Sequence, residues 1–348
     1  MQQSQNGLHD DGRNIDQGLG TLSGEAAGQR TLSTKHDVAL HSQAFPYVPS
    51  HQSTTSPSYY DHAMLKQPTW IWSIPTYFYV GGVAGVSGAF AAAAQVVAPD
   101  SMRALITHGR WIATFGGAIS AGLLIHDLGR PERFLYMLRV FRPTSPMSMG
   151  SWILTTFSTC MSAAAVLPLG PRIVRPLAYP LGLLGGILGL GLSGYTGVLI
   201  SQTAVPVWQE SYRTMPVMFL ASGTAAAAAF LGFFRFNRQE TRAIERFGLV
   251  GKITEFASAF VLERDANQVP RVARPLKTGL SGFLWQTAKV LTVAGIVLSL
   301  TPGNGRGKRI ASDLIGTAGS LFLRFGIFFA GKVSARDPRT SFELQRNK

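Results

Sequence analysis

After Lys66 the chain is a succession of apolar runs broken by short charged connectors. No charged side chain occurs between Lys66 and Asp100, and another long uncharged stretch ends at Glu210. The pattern predicts helical spans over about 70–98, 105–126, 146–168, 177–201, 215–234, 247–262, 279–300 and 310–331. An α-helix needs about 20 apolar residues to cross a hydrocarbon core of roughly 30 Å, and most of these runs meet that length. The segment 247–262 is the least apolar, because it is short and carries Lys252 and Glu255; 279–300 contains Lys289, and 310–331 contains Asp313 and Arg324. The expected fold class is an all-α integral membrane protein of about eight transmembrane helices.

Small residues recur at four-residue spacing within these runs: Gly81 with Gly85, Gly182 with Gly186, Gly185 with Gly189, and Ser193 with Gly197. In lipid, helices associate by close backbone approach rather than by hiding apolar surface from water, so such pairs mark packing seams. A bundle is implied, rather than separate anchors. Residues 1–69 are different, being rich in Ser, Thr, Gln, Gly and His without a sustained apolar period. They lack a basic start followed by an apolar core, so they do not read as a cleavable signal, and their composition predicts a disordered polar tail.

Charge changes this picture little. Of the 348 residues only 14% are charged against 46% hydrophobic, and the mean hydropathy of +0.16 is held down by the polar tail. The formal net charge of +14 sits mostly in short connectors between spans, where it faces lipid head groups or an acidic partner. No basic stretch with interleaved aromatics lies outside an apolar run, so nucleic acid is not expected as a partner. The balance of Lys and Arg between the two sets of connectors is too even to fix orientation. The single cysteine, Cys160, excludes an intrachain disulfide and a four-thiolate iron–sulfur cluster within this chain. No metal ligands are assigned.

The segment with most chemical content is His126-Asp127-Leu128-Gly129-Arg130-Pro131-Glu132-Arg133, followed by Ser145-Pro146-Met147-Ser148-Met149-Gly150. Gly129 and Pro131 read as helix punctuation. Asp127 is not explained that way. A carboxylate at a helix C-terminus meets the negative end of the helix dipole, and near hydrocarbon it also loses hydration. Arg130 and Arg133 lie close enough in sequence to offset both. Such a group is either locked in an ion pair or poised to accept a proton.

Asp127-Leu128-Gly129-Arg130-Pro131, Ser145-Pro146-Met147-Ser148 and Tyr195-Thr196-Gly197 together resemble the NrfD family, membrane subunits of polysulfide reductase-like complexes. Val205-Pro206-Val207-Trp208 and Ser334-Ala335-Arg336-Asp337-Pro338 resemble weaker features of the same family, and the resemblance spans most of 70–348. It implies eight helices in two four-helix bundles in the cell inner membrane, with the N-terminus outside. It further implies a bound quinol (menaquinone or ubiquinone), no haem, and an extracytoplasmic ferredoxin-like iron–sulfur partner subunit. The site would gather the start of the first span, Asp127 and Tyr195. Asp127 is then the candidate base, Tyr195 a hydrogen-bonding group for a quinone oxygen, and Arg130 an electrostatic partner, with His126 adjoining. The family places polar His or Asn residues near the start of the first span. This chain has Trp70-Ile71-Trp72-Ser73-Ile74-Pro75-Thr76-Tyr77, so Tyr77 and Trp72 are the candidate substitutes.

Haem can be examined independently of the resemblance. Both histidines of the membrane portion, His108 and His126, fall on the second span, 18 residues and so about 27 Å apart, too far to share one iron. Two other function classes stay open on the residues alone. Glu255, Lys289 and Arg324 could serve an ion- or proton-translocating subunit or form structural pairs, and the nonpolar start of the first span is compatible with a redox-inert scaffold.

Overall fold

The computed structural model describes residues 15–16, 21–22, 65–301 and 305–346. The polar tail expected over 1–69 lies almost wholly outside them. Within 1–56, which forms a unit of its own, a two-residue strand β1 (Ile15–Asp16) pairs antiparallel with β2 (Thr21–Leu22).

In the second unit, 57–348, helices are the regular elements among the described residues. Eight long helices are joined by short ones. The long helices are α1 (Ser73–Val97), α2 (Arg103–Leu128), α4 (Pro146–Val166), α5 (Ala178–Ser201), α7 (Thr214–Gly232), α8 (Arg238–Asn267), α10 (Gly279–Leu300) and α11 (Arg306–Arg336). The short ones are α3 (Glu132–Arg139), α6 (Pro206–Glu210), α9 (Pro270–Lys277) and α12 (Pro338–Arg346). α1, α2, α4 and α5 pack as one four-helix bundle, and α7, α8, α10 and α11 as a second. α1 and α5 lie against α7, and α1 also against α11, so the two bundles share a seam.

Seven of the long helices have the length and apolar composition to cross a membrane. The eighth, α8, runs for 30 residues where the apolar pattern alone marks 247–262. Its two central charges point inward, with Lys252 6% and Glu255 2% exposed. Phe247, Val250, Ile253, Phe260 and Val261 are exposed on its outer side. A helix that hides its charges from lipid can span despite a low average hydropathy.

Local sequence sets the breaks. Gly129 takes φ +69 at the end of α2, a left-handed conformation that glycine adopts at little cost. Ser145 caps α4, its hydroxyl accepting from the Ser148 amide, and Pro146 fills the first helical position, where no amide is needed. Asn237 and Glu240 form a reciprocal capping box at the start of α8. The expected packing seam is seen most sharply between α1 and α5. A side chain added at Gly85 would run into the Gly189 backbone, and one added at Gly189 into Gly85. Cys160 is buried on α4 against Gly185 of α5, as a packing residue.

Candidate functional site

Because the long helices alternate in direction, the start of α1, the end of α2, the start of α4 and the ends of α5 and α11 lie on one side of the unit. Asp127 is the penultimate residue of α2 and reaches across to the lead of α1. Its Oδ1 accepts from the Ile71 amide and from the Ser73 hydroxyl, each at 3.2 Å. The carboxylate therefore sits at the negative end of its own helix and at the positive end of the next one. The second field opposes the first. Sequence alone exposes only the unfavourable half.

Ser73 is fully buried, whereas Asp127 is half-buried, so the carboxylate lies at the rim and its hydroxyl partner below it. One turn further along α1, on the same face, comes buried Tyr77. Tyr77 lies within electrostatic reach of Tyr195 on α5. The Tyr195 ring and hydroxyl lie against Gly150 in the first turns of α4, where any side chain at 150 would collide with them. The three strongest motifs thus converge at one end of the first bundle, with Ser73 and Tyr77 between them.

The cation beside Asp127 is not the one adjacent in sequence. Arg130 is exposed and makes no ion pair with Asp127 among the described residues, because the turn at Gly129 carries the chain away from the site. Arg133 is also exposed, with Nη1 donating to the Leu128 carbonyl at 3.4 Å. Lys332, near the end of α11, lies within electrostatic reach of Asp127. Its ammonium donates to the Trp70 carbonyl and lies 4.8 Å from the Phe328 ring centre. Neither Ser73 nor Lys332 stood out in the sequence. Helix alternation, which brings the end of the eighth span to the start of the first, was the signal for Lys332.

The two weaker motifs meet beside this lead. Trp70 stacks on fully buried Trp208 of α6 at 6.2 Å, and the Trp208 indole N–H donates to the Ile327 carbonyl at 3.0 Å. The Val207 amide donates to Ser334 at 3.3 Å, and Arg336 donates to Gln67 at 2.8 Å. Together these contacts fix the chain ahead of α1 against the second bundle. Trp72 and His126 are placed differently. Both are exposed, with ring centres 5.7 Å apart, and cover the outside of the junction. His108 is at the far end of α2, against Phe234 and Phe236.

An open cleft of about 270 Å³ is lined by Tyr136, Met137, Val140, Arg142 and Ser148, between α3 and the start of α4. Another, of about 480 Å³, runs along the end of α8 beside Phe260, Glu263 and Arg264. Asp127 and Tyr195 line neither. Among the described residues no cluster of His, Cys, Asp and Glu has the makings of a metal site.

Two four-helix bundles of apolar, membrane-length helices, with a carboxylate and two tyrosines gathered at one end of the first, define a multi-pass integral membrane protein. The family model for polysulphide reductase NrfD matches residues 61–333. The C subunit of polysulfide reductase from Wolinella succinogenes is 26% identical over 310 residues, which span 76% of this protein and 94% of that one. The chain belongs to the NrfD family.

Proposed function

We propose that this NrfD-family protein, a membrane subunit of a respiratory oxidoreductase, binds a quinol where α1, α2, α4 and α5 meet and takes up its protons at Asp127. A quinone site needs an apolar, largely aromatic lining with a few polar groups fixed in place. Trp70, Trp72, Tyr77 and Tyr195 supply the aromatic surface, and Asp127, Ser73 and Lys332 the polar groups, so the residues present fit the ligand. The observation that carries the reading is Asp127 itself, half-buried, with Oδ1 committed to α1 and Oδ2 without a hydrogen bond among the described residues.

When bound, the quinol supplies two electrons and two protons. Asp127 Oδ2 is placed to hold a proton at the rim and release it to the adjacent face. Lys332 sets a positive charge within electrostatic reach of Asp127. The Tyr195 hydroxyl, below the rim, orients an oxygen by hydrogen bonding. With one buried cysteine the protein does not carry an iron–sulfur cluster, so electrons must pass to another subunit. The reading places that ferredoxin-like iron–sulfur subunit on the Asp127 face, outside the cytoplasm, with the N-terminus on the same side.

A second reading rests on one contact: by accepting from Ile71 and Ser73, Asp127 could serve only to cap α1. Asp127→Asn separates the two, since its carbonyl still accepts both hydrogen bonds while the proton acceptor is gone. In the purified complex, quinol-dependent reduction of the partner should fall by about 100-fold or more in Asp127→Asn, with thermal stability nearly unchanged. Turnover equal to the parent's would remove Asp127 from the chemistry and leave the cap. Loss of co-purifying quinone in Tyr195→Phe would further place the ligand beside Tyr195.

A further inference from the structure

The second bundle has a polar interior that the site at Asp127 does not use. Ser312, Gly316, Ser320 and Arg324 follow one another at four-residue spacing on α11, and so share one face. Opposite them stand Thr292, Gly295 and Ser299 of α10, and Lys252 and Glu255 of α8. Lys252 Nζ donates to Ser299 and Ser312, each at 3.1 Å. The Glu255 carboxylate accepts from Thr292 at 2.9 Å and from Ser320 at 3.5 Å. Asp313 lies within the field of Lys252, with Glu245 and Arg309 nearby where α11 begins. From Ser312 to Arg324 the lane rises by about 18 Å, over half of a hydrocarbon core of roughly 30 Å.

At its inner end stands Arg324, 1% exposed at the seam between the bundles. One Nη donates to the Phe219 carbonyl at 2.8 Å, and the guanidinium lies 3.9 Å from the Phe219 ring centre. Its Nε and other Nη have no hydrogen-bond partner among the described residues, and neither does the Ser193 hydroxyl. Tyr79 of α1 and Glu255 lie within its field. Buried donors left without such partners are sites for bound water, since a bare buried donor has lost its hydration with nothing in return. Two further charges of the bundle pair outside the lane. Lys289 pairs with Glu263 at 2.6 Å towards the opposite face, and α7 contributes no charged side chain between Thr214 and Gly232.

We propose that this lane is a proton well: it lets Glu255 exchange protons with the face at which α11 begins, and Arg324 closes it towards the first bundle. Bound water, the Ser299 and Ser312 hydroxyls and the Lys252 amine hand the proton along, an O–H or N–H bond forming at each step as another breaks. The Arg324 guanidinium repels a proton arriving from the well. The arrangement therefore loads one buried carboxylate from one side without opening a leak. Its mouth lies on the face opposite Asp127, and it does not depend on the quinol reading.

The test is infrared hydrogen–deuterium exchange on the full-length protein in lipid nanodiscs between about pH 5 and pH 9, with Glu255→Gln assigning the band. A protonated-carboxyl band absent from Glu255→Gln should shift in D₂O well before the core amides exchange. In Lys252→Met, and separately in Ser299→Ala with Ser312→Ala, that shift should slow by about tenfold or more. Asp127→Asn should leave it unchanged. The serine pair keeps the assay interpretable if Lys252→Met does not fold. No Glu255 carboxyl band at any pH, exchange as slow as the core amides, or exchange unaltered by both lane variants would each overturn the proposal.

Discussion

The two bundles keep polar groups in opposite ways. In the first, α1 carries no charge from Ser73 to Val97, and its seam with α5 brings Gly85 onto Gly189 backbone to backbone. Its candidate chemistry is confined to one rim, where Asp127, Ser73 and Lys332 meet. In the second, ionisable groups lie inside, and hydroxyls on α10 and α11 bind Lys252 and Glu255. A membrane bundle can thus be held by tight contact between small residues or by a satisfied polar interior. The first leaves a rim free for a ligand. The second ties stability to charge balance.

The hardest blow to this contrast should come at Arg324. Removing one partner of a buried charge pair leaves the other uncompensated, typically at a cost of about 3–5 kcal/mol. Arg324→Met, which removes one of the two cations in whose field Glu255 lies, should lower thermal stability in detergent towards that order. Arg324→Met with Glu255→Gln should regain much of the loss. If the double variant is no better than the single, the two groups do not act as a unit, and the second bundle is held like the first.

A medium effect is expected at Glu240, which joins the bundles away from the candidate site. This residue is 1% exposed, and its carboxylate accepts from the Leu105 amide of α2 at 2.9 Å and from the Asn237 amide of α8 at 3.0 Å. One anion therefore closes the starts of a helix in each bundle. Glu240→Gln presents an NH₂ to one of those two amides, so a cost of about 2 kcal/mol is expected in thermal unfolding. Quinol-dependent turnover at moderate temperature should be untouched. A matching fall in turnover would show that the rim senses the far end of α2.

How much of this was legible in the sequence follows the same division. In the first bundle charge-free runs mark three of the four spans directly, 105–126 carrying Arg110, and the motif carrying Asp127 points to the rim. α8 was the hardest span to read because hydropathy averages over faces: Lys252 and Glu255 count against it although both point inward. The short helices α3, α6, α9 and α12 left no apolar signature long enough to register. Partners were the least legible. Arg130 is three residues from Asp127 yet points away after the turn at Gly129, whereas Lys332 arrives from the far end of the protein. Lys289 likewise shares a helix with Thr292 but pairs with Glu263, outside the lane that Glu255 and Arg324 occupy. Sequence spacing fixes which residues share a helix face, and only packing decides what that face meets.

The smallest effect is expected at Ser73, and it cuts most finely between the two readings of the rim. Its hydroxyl gives Asp127 one of two hydrogen bonds to Oδ1, and the Ile71 amide gives the other. Ser73→Ala removes a buried donor together with its contact, so stability should fall by only about 1 kcal/mol. A carboxylate that merely caps α1 would register nothing further. A carboxylate that takes protons from a quinol must also be held in place, and Ser73→Ala removes one of the two donors that hold it. Quinol-dependent turnover should therefore fall by about fivefold in Ser73→Ala, with the melting temperature almost unchanged. Turnover equal to the parent's would assign Asp127 to holding the first bundle together and return the rim to the same structural role as the glycine seam beneath it.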